Sequence, residues 1–183
     1  MAFSPELLDR FKEFEGNVPY MYLDSRGNVT VGVGLMLPDQ ATAIQLPFFD
    51  GSTLDPATDG QKSTDWNNVK EMPTGHTAPY YQNATIVRLP QNTIDDLLVS
   101  TLNAFEQQLR TQFGQYPTFP TAAQEGLLDM IYTLGLGGLR KFVKFCAAVV
   151  NQDWDTASGE CFRNGVQPSR NAAIKQLFLN AAM

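Results

Sequence analysis

The chain has 183 residues, 43% of them hydrophobic, two cysteines and a formal net charge of −6, enough for one domain with its own core that can divide into two lobes. The acidity excludes a nucleic-acid binder, since phosphate contacts need clustered Lys and Arg, and disfavours simple electrostatic attraction to an anionic wall or membrane. No run approaches the roughly 18 consecutive apolar residues of a membrane span, and MAFSPELLDRFKEFEG places acids where a secretory segment is apolar, which predicts no signal peptide.

Ser4 as N-cap, Pro5 at the first helical position, and Leu7, Leu8, Phe11 and Phe14 at helical spacing predict a helix from Pro5 to Glu15 that Gly16 stops. Tyr20 to Asp24 and Val29 to Gly34, joined through Ser25-Arg26-Gly27-Asn28, read as a β-hairpin. Val29, Val31 and Val33 then share a core face, while Thr30, Gly32 and Gly34 leave nearly bare backbone that a bulky polymer can approach.

From Pro38 to about Arg88 the composition turns to Pro, Thr, Asp, Asn, Gly and Gln with little periodicity, a long connection that is functional, partly structured or mobile. Asp50, Asp55 and Asp59 lack the spacing of a calcium loop and read as solvated loop acids, so no metal is expected. His76, the only histidine, has no partner at zinc or triad spacing and reads as a surface residue.

Helical pattern resumes near Thr93 and runs to about Phe113, with Ile94, Leu97, Leu98, Leu102, Phe105 and Leu109 on one stripe. Further helices are predicted at 121–134, 139–151, 153–163 and 169–181, with breaks at Gly135, Gly137 and Gly138 and again from Gly165 to Pro168. Cys146 and Cys161 lie among apolar neighbours and read as reduced, buried thiols.

Glu15, Asp24 and Thr30 form the pattern E-x8-D-x5-T, two carboxylates and a hydroxyl set by a short connection. A carboxylate at a helix C-terminus meets the negative end of the dipole, which favours the protonated form, more so if Phe14 and Tyr20 desolvate it. Such a Glu suits a general acid, and Asp24 and Thr30 then handle water or the developing cation on the other side of a glycosidic bond. Taken singly, Asp24 is also an ordinary turn residue and Thr30 an ordinary strand residue.

FEG, Asp24, Thr30 and VGVG resemble the catalytic stretch of the phage-type lysozymes, glycoside hydrolases that include phage endolysins and lysozyme-like effector or bacteriocin domains. GLLDMIYTLGLGGLRKF, NQDWDTASGECFRNG and QPSRNAAIKQLF resemble helical segments of the same family, so the resemblance covers residues 1–37 and about 90–183. It implies an α+β, lysozyme-like single domain over 1–183: a small β-hairpin lobe at 17–89 with the insertion at about 38–88, helical parts at 1–16 and 90–183, a long connecting helix, and an active-site cleft between the lobes.

The implied activity is hydrolysis of the β-1,4 bond between N-acetylmuramic acid and N-acetylglucosamine in peptidoglycan, with inversion and without cofactor or metal. Glu15 is the implied general acid, Asp24 the carboxylate acting on water, Thr30 the hydroxyl holding that water, and Arg170 the counter-charge of Glu15. Gly34, Met36 and Tyr132 match positions that contact saccharide, although Tyr132 also reads as core. Leu35 and Phe145 depart from the family, which removes an ion pair at the first position and alters a distal subsite at the second. The expected partner is the peptidoglycan glycan strand, and the chain is expected to be a monomer. It is expected to act in the periplasm or wall of a bacterial target after delivery by another domain, a holin or a secretion system, with an immunity protein as a further partner. Two alternatives stay open: a lytic transglycosylase, and a non-catalytic wall-binding module on the same fold. Asp24 and Thr30 weigh against both.

Overall fold

The computed structural model describes residues 3–183, an α+β chain of helices with two small antiparallel sheets. It forms two compact units, Met1–Val99 and Ser100–Met183. Among the described residues no helix is long and apolar enough to cross a membrane.

In the first unit, α1 (Pro5–Glu15) starts where the Ser4 hydroxyl accepts from the Leu7 amide and ends where Gly16, at φ 87°, leaves the helix with its amide on the Lys12 carbonyl. Leu7 and Phe11 are its buried residues. The hairpin follows as β1 (Val18–Leu23) and β2 (Val29–Gly32), which pair antiparallel with Tyr22 opposite Thr30 and Leu23 opposite Val29. The returning strand is shorter than its sequence suggests. Gly32 and Gly34 both take positive φ, 65° and 75°, so the chain turns at Val33 and Gly34 and continues as a third strand, β3 (Leu35–Met36), with Met36 opposite Thr30. The expected bare face is filled in part: Thr30 is 2% exposed, and a Cβ on Gly32 would lie 3.4 Å from Ile94.

The stretch from Pro38 to Arg88 is structured. It holds α2 (Gln40–Ile44), β4 (Phe49–Asp50), α3 (Asp59–Lys70), a 3₁₀ helix (Ala78–Ala84) and β5 (Val87–Arg88), the last pairing with β4. Buried polar groups tie these pieces together. The Thr58–Gln61 capping box starts α3, Lys62 donates to the Ile44 carbonyl, the Trp66 indole to the Leu37 carbonyl and Tyr81 to the Pro73 carbonyl. Asp65 accepts from the Ile86 and Val87 amides at 2.7 and 2.8 Å. The reading of Asp50, Asp55 and Asp59 as three solvated acids is corrected at its first member. Asp50 is buried and accepts from Ser52, Thr53 and Gln61, which hold its carboxyl below its ordinary pKa. Asp55 and Asp59 are exposed, and so is His76, whose ring stacks on Tyr80.

The helix α4 (Gln91–Gln112) carries the chain into the second unit. There α5 (Thr121–Leu139) is broken at Gly135, whose φ of 64° and ψ of 168° end the regular helix at the predicted residue, although turns continue to Leu139. Because of that continuation α6 (Val143–Val150) starts later than expected; α7 (Trp154–Glu160) and α8 (Pro168–Ala181) complete the unit. Its core is aromatic: Trp154 packs edge-on to Phe119 and stacks on Phe178, which meets Phe145 edge-on. Phe145 is fully buried and belongs to this core. The cysteines are free; Cys161 is buried and Cys146 half-buried, and burial pushes both thiols up.

Asp65 gives a measurable consequence. Desolvation outweighs the two amide donors and Arg88, so its pKa is raised on folding, and its contribution is largest below the unfolded pKa and declines as pH rises through the folded one. Asp65→Ala leaves two amides without an acceptor and should cost about 2–4 kcal/mol in urea unfolding. Asp65→Asn, which keeps an acceptor and sheds the buried charge, should cost less at pH 7 than at pH 4.

Candidate active site

Glu15, Asp24 and Thr30 all lie in the first unit, on three consecutive pieces of backbone. Glu15 is the last residue of α1 and is half-buried; the turn at Gly16 aims the chain directly into β1. Asp24 follows β1 by one residue and organises the hairpin turn. Its Oδ1 accepts from the amides of Arg26 and Asn28, both at 2.8 Å, and its Oδ2 from the Asn28 side chain at 3.0 Å. Partial burial pushes the Asp24 pKa up, but the donors on Asn28 and Arg26, with the Arg26 charge, hold it below the ordinary 3.8.

Asn28 is the joint between Asp24 and Thr30. Its carbonyl accepts the Asp24 amide at 3.0 Å and the Thr30 hydroxyl at 3.1 Å, so the carboxylate and the hydroxyl are fixed to the same residue. Neither Asn28 nor Tyr22 belongs to the E-x8-D-x5-T pattern. Tyr22 stands directly opposite Thr30 and two residues before Asp24, and the strand period of two puts the phenol on the face that carries the hydroxyl. Burial, then the Glu15 charge, then the Asp24 charge push its hydroxyl up to about 12. The charges of both carboxylates therefore reach one phenol. The sequence offered a partial signal for this, since Tyr20 and Tyr22 both have the parity of Asp24 and Tyr22 is the nearer. Tyr20 lies beneath the Arg88 guanidinium, 5.1 Å from the ring centre.

Gly34 is exposed in the β2–β3 turn, and Met36, 50% exposed, sits across from Thr30 on β3. These two extend the face that carries the hydroxyl with accessible backbone and an apolar side chain. Tyr132 and Arg170 lie in the second unit. Tyr132 is half-buried on α5 and meets Phe105 edge-on at 5.7 Å. Arg170, buried on α8, holds Asp129 through Nε at 3.1 Å to both oxygens and Nη2 at 3.0 Å to Oδ2. Asp129 also accepts from Arg163 at 2.6 Å, and the Arg163 amide and Nε donate to Asn171. One buried carboxylate thus serves two buried guanidinium groups and locks α5 to α8.

Among the described residues no group of three or more His, Cys, Asp and Glu could hold a metal ion. No protein-family model matches this chain, and no curated protein matches it.

The Asp24 network generates a stability prediction. Asp24→Ala releases three donors in a partly exposed turn and should cost about 1–2 kcal/mol at pH 7 after allowance for solvent screening. The folded pKa is lowered, so this stabilisation is present above the unfolded pKa and is lost as pH falls through the folded one. Thermal unfolding of wild type and variant should therefore converge as the pH is lowered through the folded pKa of Asp24.

Proposed function

We propose that the protein is a muramidase, hydrolysing the β-1,4 bond between N-acetylmuramic acid and N-acetylglucosamine in bacterial peptidoglycan on a lysozyme-like fold. The observation that carries the proposal is the hairpin that ties Asp24 and Thr30 to Asn28 and sets Thr30 across from Tyr22, whose hydroxyl feels the charges of both Glu15 and Asp24. A pair of carboxyl groups in unlike surroundings is what acid-assisted glycoside hydrolysis requires.

Glu15, at the end of α1, is the general acid that protonates the glycosidic oxygen. Asp24 is held ionised by its three donors, and its lowered pKa makes it a weak base. Its part is to orient the attacking water and to offset the positive charge that develops on the sugar ring, the stage at which proton loss from water becomes easy. The Thr30 hydroxyl, already anchored to Asn28, supplies the second contact to that water. Gly34 and Met36 border the same face and are the sugar contacts of this unit; Tyr132 and Arg170 enter as a sugar contact and a counter-charge on the strength of the family resemblance alone.

The substrate implies action in the periplasm or wall of a target cell, with delivery by another domain, a holin or a secretion machine, and it admits an immunity protein as partner. A lytic transglycosylase is the second reading. It needs only a single acid, so the ordered Asp24–Asn28–Thr30 arrangement favours hydrolysis.

Glu15→Gln should leave the unfolding curve unchanged and lower release of muropeptides from purified sacculi by at least about 10²-fold. Mass spectrometry of the wild-type products should show reducing ends that have gained water. Anhydro-sugar ends would replace the hydrolase with a transglycosylase, and binding without release would reduce the protein to a wall-binding module.

A further inference from the structure

We propose that α3 and the loop that follows it brace the hairpin turn of Asp24, with Lys70 as a positioning residue: its ammonium, bonded to the Gly27 carbonyl, holds the turn in the shape that keeps the Asp24 carboxylate aimed. The proposal deepens the muramidase reading and rests on it for the work that Asp24 does.

Lys62, Trp66 and Lys70 are spaced by four residues and lie along one face of α3. Each donates to a backbone carbonyl in an earlier piece of chain: Lys62 to Ile44 at 2.8 Å, the Trp66 indole to Leu37 at 3.0 Å, and Lys70 to Gly27 at 3.1 Å. The row runs from the end of α2, past the end of β3, to the hairpin turn. A second flank of the helix is fastened as well. Asp65 takes the Ile86 and Val87 amides, and the Asn68 side chain donates to the Ala84 carbonyl at 3.2 Å. With the capping box at its start, α3 is held along its length, so its last donor meets the turn from a fixed position.

Gly27 is the residue through which the turn can be held. It takes a φ of 77°, and its amide donates to the Asp24 carbonyl at 3.0 Å. It stands between Arg26 and Asn28, whose amides both meet Asp24 Oδ1. A lysine in the last turn of a helix ordinarily serves that helix's own carbonyl end; this one reaches a residue 43 positions away. The loop after α3 rests on the same glycine, since a Cβ on Gly27 would lie 3.1 Å from Thr74 Cγ2. That loop is pinned in turn by the buried Tyr81, which donates to the Pro73 carbonyl at 2.8 Å. Gly27 is therefore gripped twice, by a hydrogen bond and by a methyl contact. Both come from the segment at 38–88 that the resemblance does not cover, which gives that segment a task at the site.

Asp24 is aimed by the amides of its own turn, so a turn that rocks at Gly27 lets those amides leave the carboxylate. Partial burial pushes the Asp24 pKa up, and the donors on Asn28 and Arg26 outweigh it. A loosened turn weakens the donors and leaves the burial. The water that Asp24 orients would then lose its aim, which slows the reaction more than it weakens sugar binding.

The test compares the full-length chain with Lys70→Met, Lys70→Arg and Thr74→Gly; both positions are exposed, so the core is left intact. The readouts are the Asp24 carboxyl titration by ¹³C NMR, amide exchange at Arg26 and Asn28, and muropeptide release. In Lys70→Met the Asp24 titration should rise, exchange at Asn28 should quicken about tenfold, and kcat should fall about threefold with KM within about twofold. Lys70→Arg, which keeps a charged donor, should restore all three. Thr74→Gly removes no charge and should move the titration and the exchange in the same direction as Lys70→Met. Titration and exchange that stay in place in Lys70→Met overturn the brace even where activity falls, and so does a kcat that stays in place while they move. A titration that moves in Lys70→Met but not in Thr74→Gly reduces Lys70 to a nearby charge and also overturns it. A wild-type chain that releases no muropeptides ends the muramidase reading, and the titration and exchange then decide the brace alone.

Discussion

The Asp24 carboxylate and the turn it closes set the geometry on which the first unit depends. One side chain accepts from Arg26 and twice from Asn28, while its amide bonds the Asn28 carbonyl. These contacts fix where β1 ends and β2 begins, and a slip of one residue would send every side chain of β2 to the opposite face. Thr30 would then leave Tyr22, and the hydroxyl would leave the carboxylates. The residue best placed for chemistry is thus also the residue that specifies the register. Conflict between the two roles is small, because an anion that holds three donors keeps lone-pair directions for a water molecule.

How far the sequence foretold the structure depends on what holds each element. α1 was legible, since its cap, its opening proline, its apolar stripe and its closing glycine agree. The hairpin was legible, but its third strand was not. The stretch Gly32-Val33-Gly34-Leu35 reads as a continuing alternation of valine and glycine, and only the positive φ of the two glycines reveals a turn. α3 escaped for a different reason. Its buried residues are Lys62, Asp65 and Val69, so the face turned inward is mostly polar and leaves no apolar period to find. Each buried group there answers to a backbone partner far away in sequence, Ile44 for Lys62 and Ile86 with Val87 for Asp65, and such pairings have no local signature.

The second unit shows the same division. Its helices follow apolar spacing and glycine breaks closely enough to be read from the chain, and the break at Gly135 falls where expected. The Arg163–Asp129–Arg170 group was only half visible. Arg170 stood out through resemblance, while Asp129 and Arg163 lie inside helical and loop segments that look unremarkable in isolation. A lone buried carboxylate or guanidinium is costly, but one carboxylate shared by two guanidinium groups with Asn171 and Thr133 as further partners is held by charge-assisted bonds of 2.6–3.3 Å. Such a cluster specifies how α5 and α8 meet more sharply than apolar packing alone.

The site itself divides along the same line. Glu15, Asp24 and Thr30 could be found because they recur at fixed spacing on a short stretch, whereas Asn28 and Tyr22 are found only when strand pairing is known. Spacing names the groups proposed to meet the substrate; pairing names the neighbours that hold them. Asp24 and Glu15 both carry carboxyl groups, and their settings differ: Asp24 organises a turn that supplies it with three donors, while Glu15 closes a helix. Removing the turn donors would therefore do more than loosen the hairpin, because the same donors hold the Asp24 carboxyl below its ordinary pKa and keep it ionised.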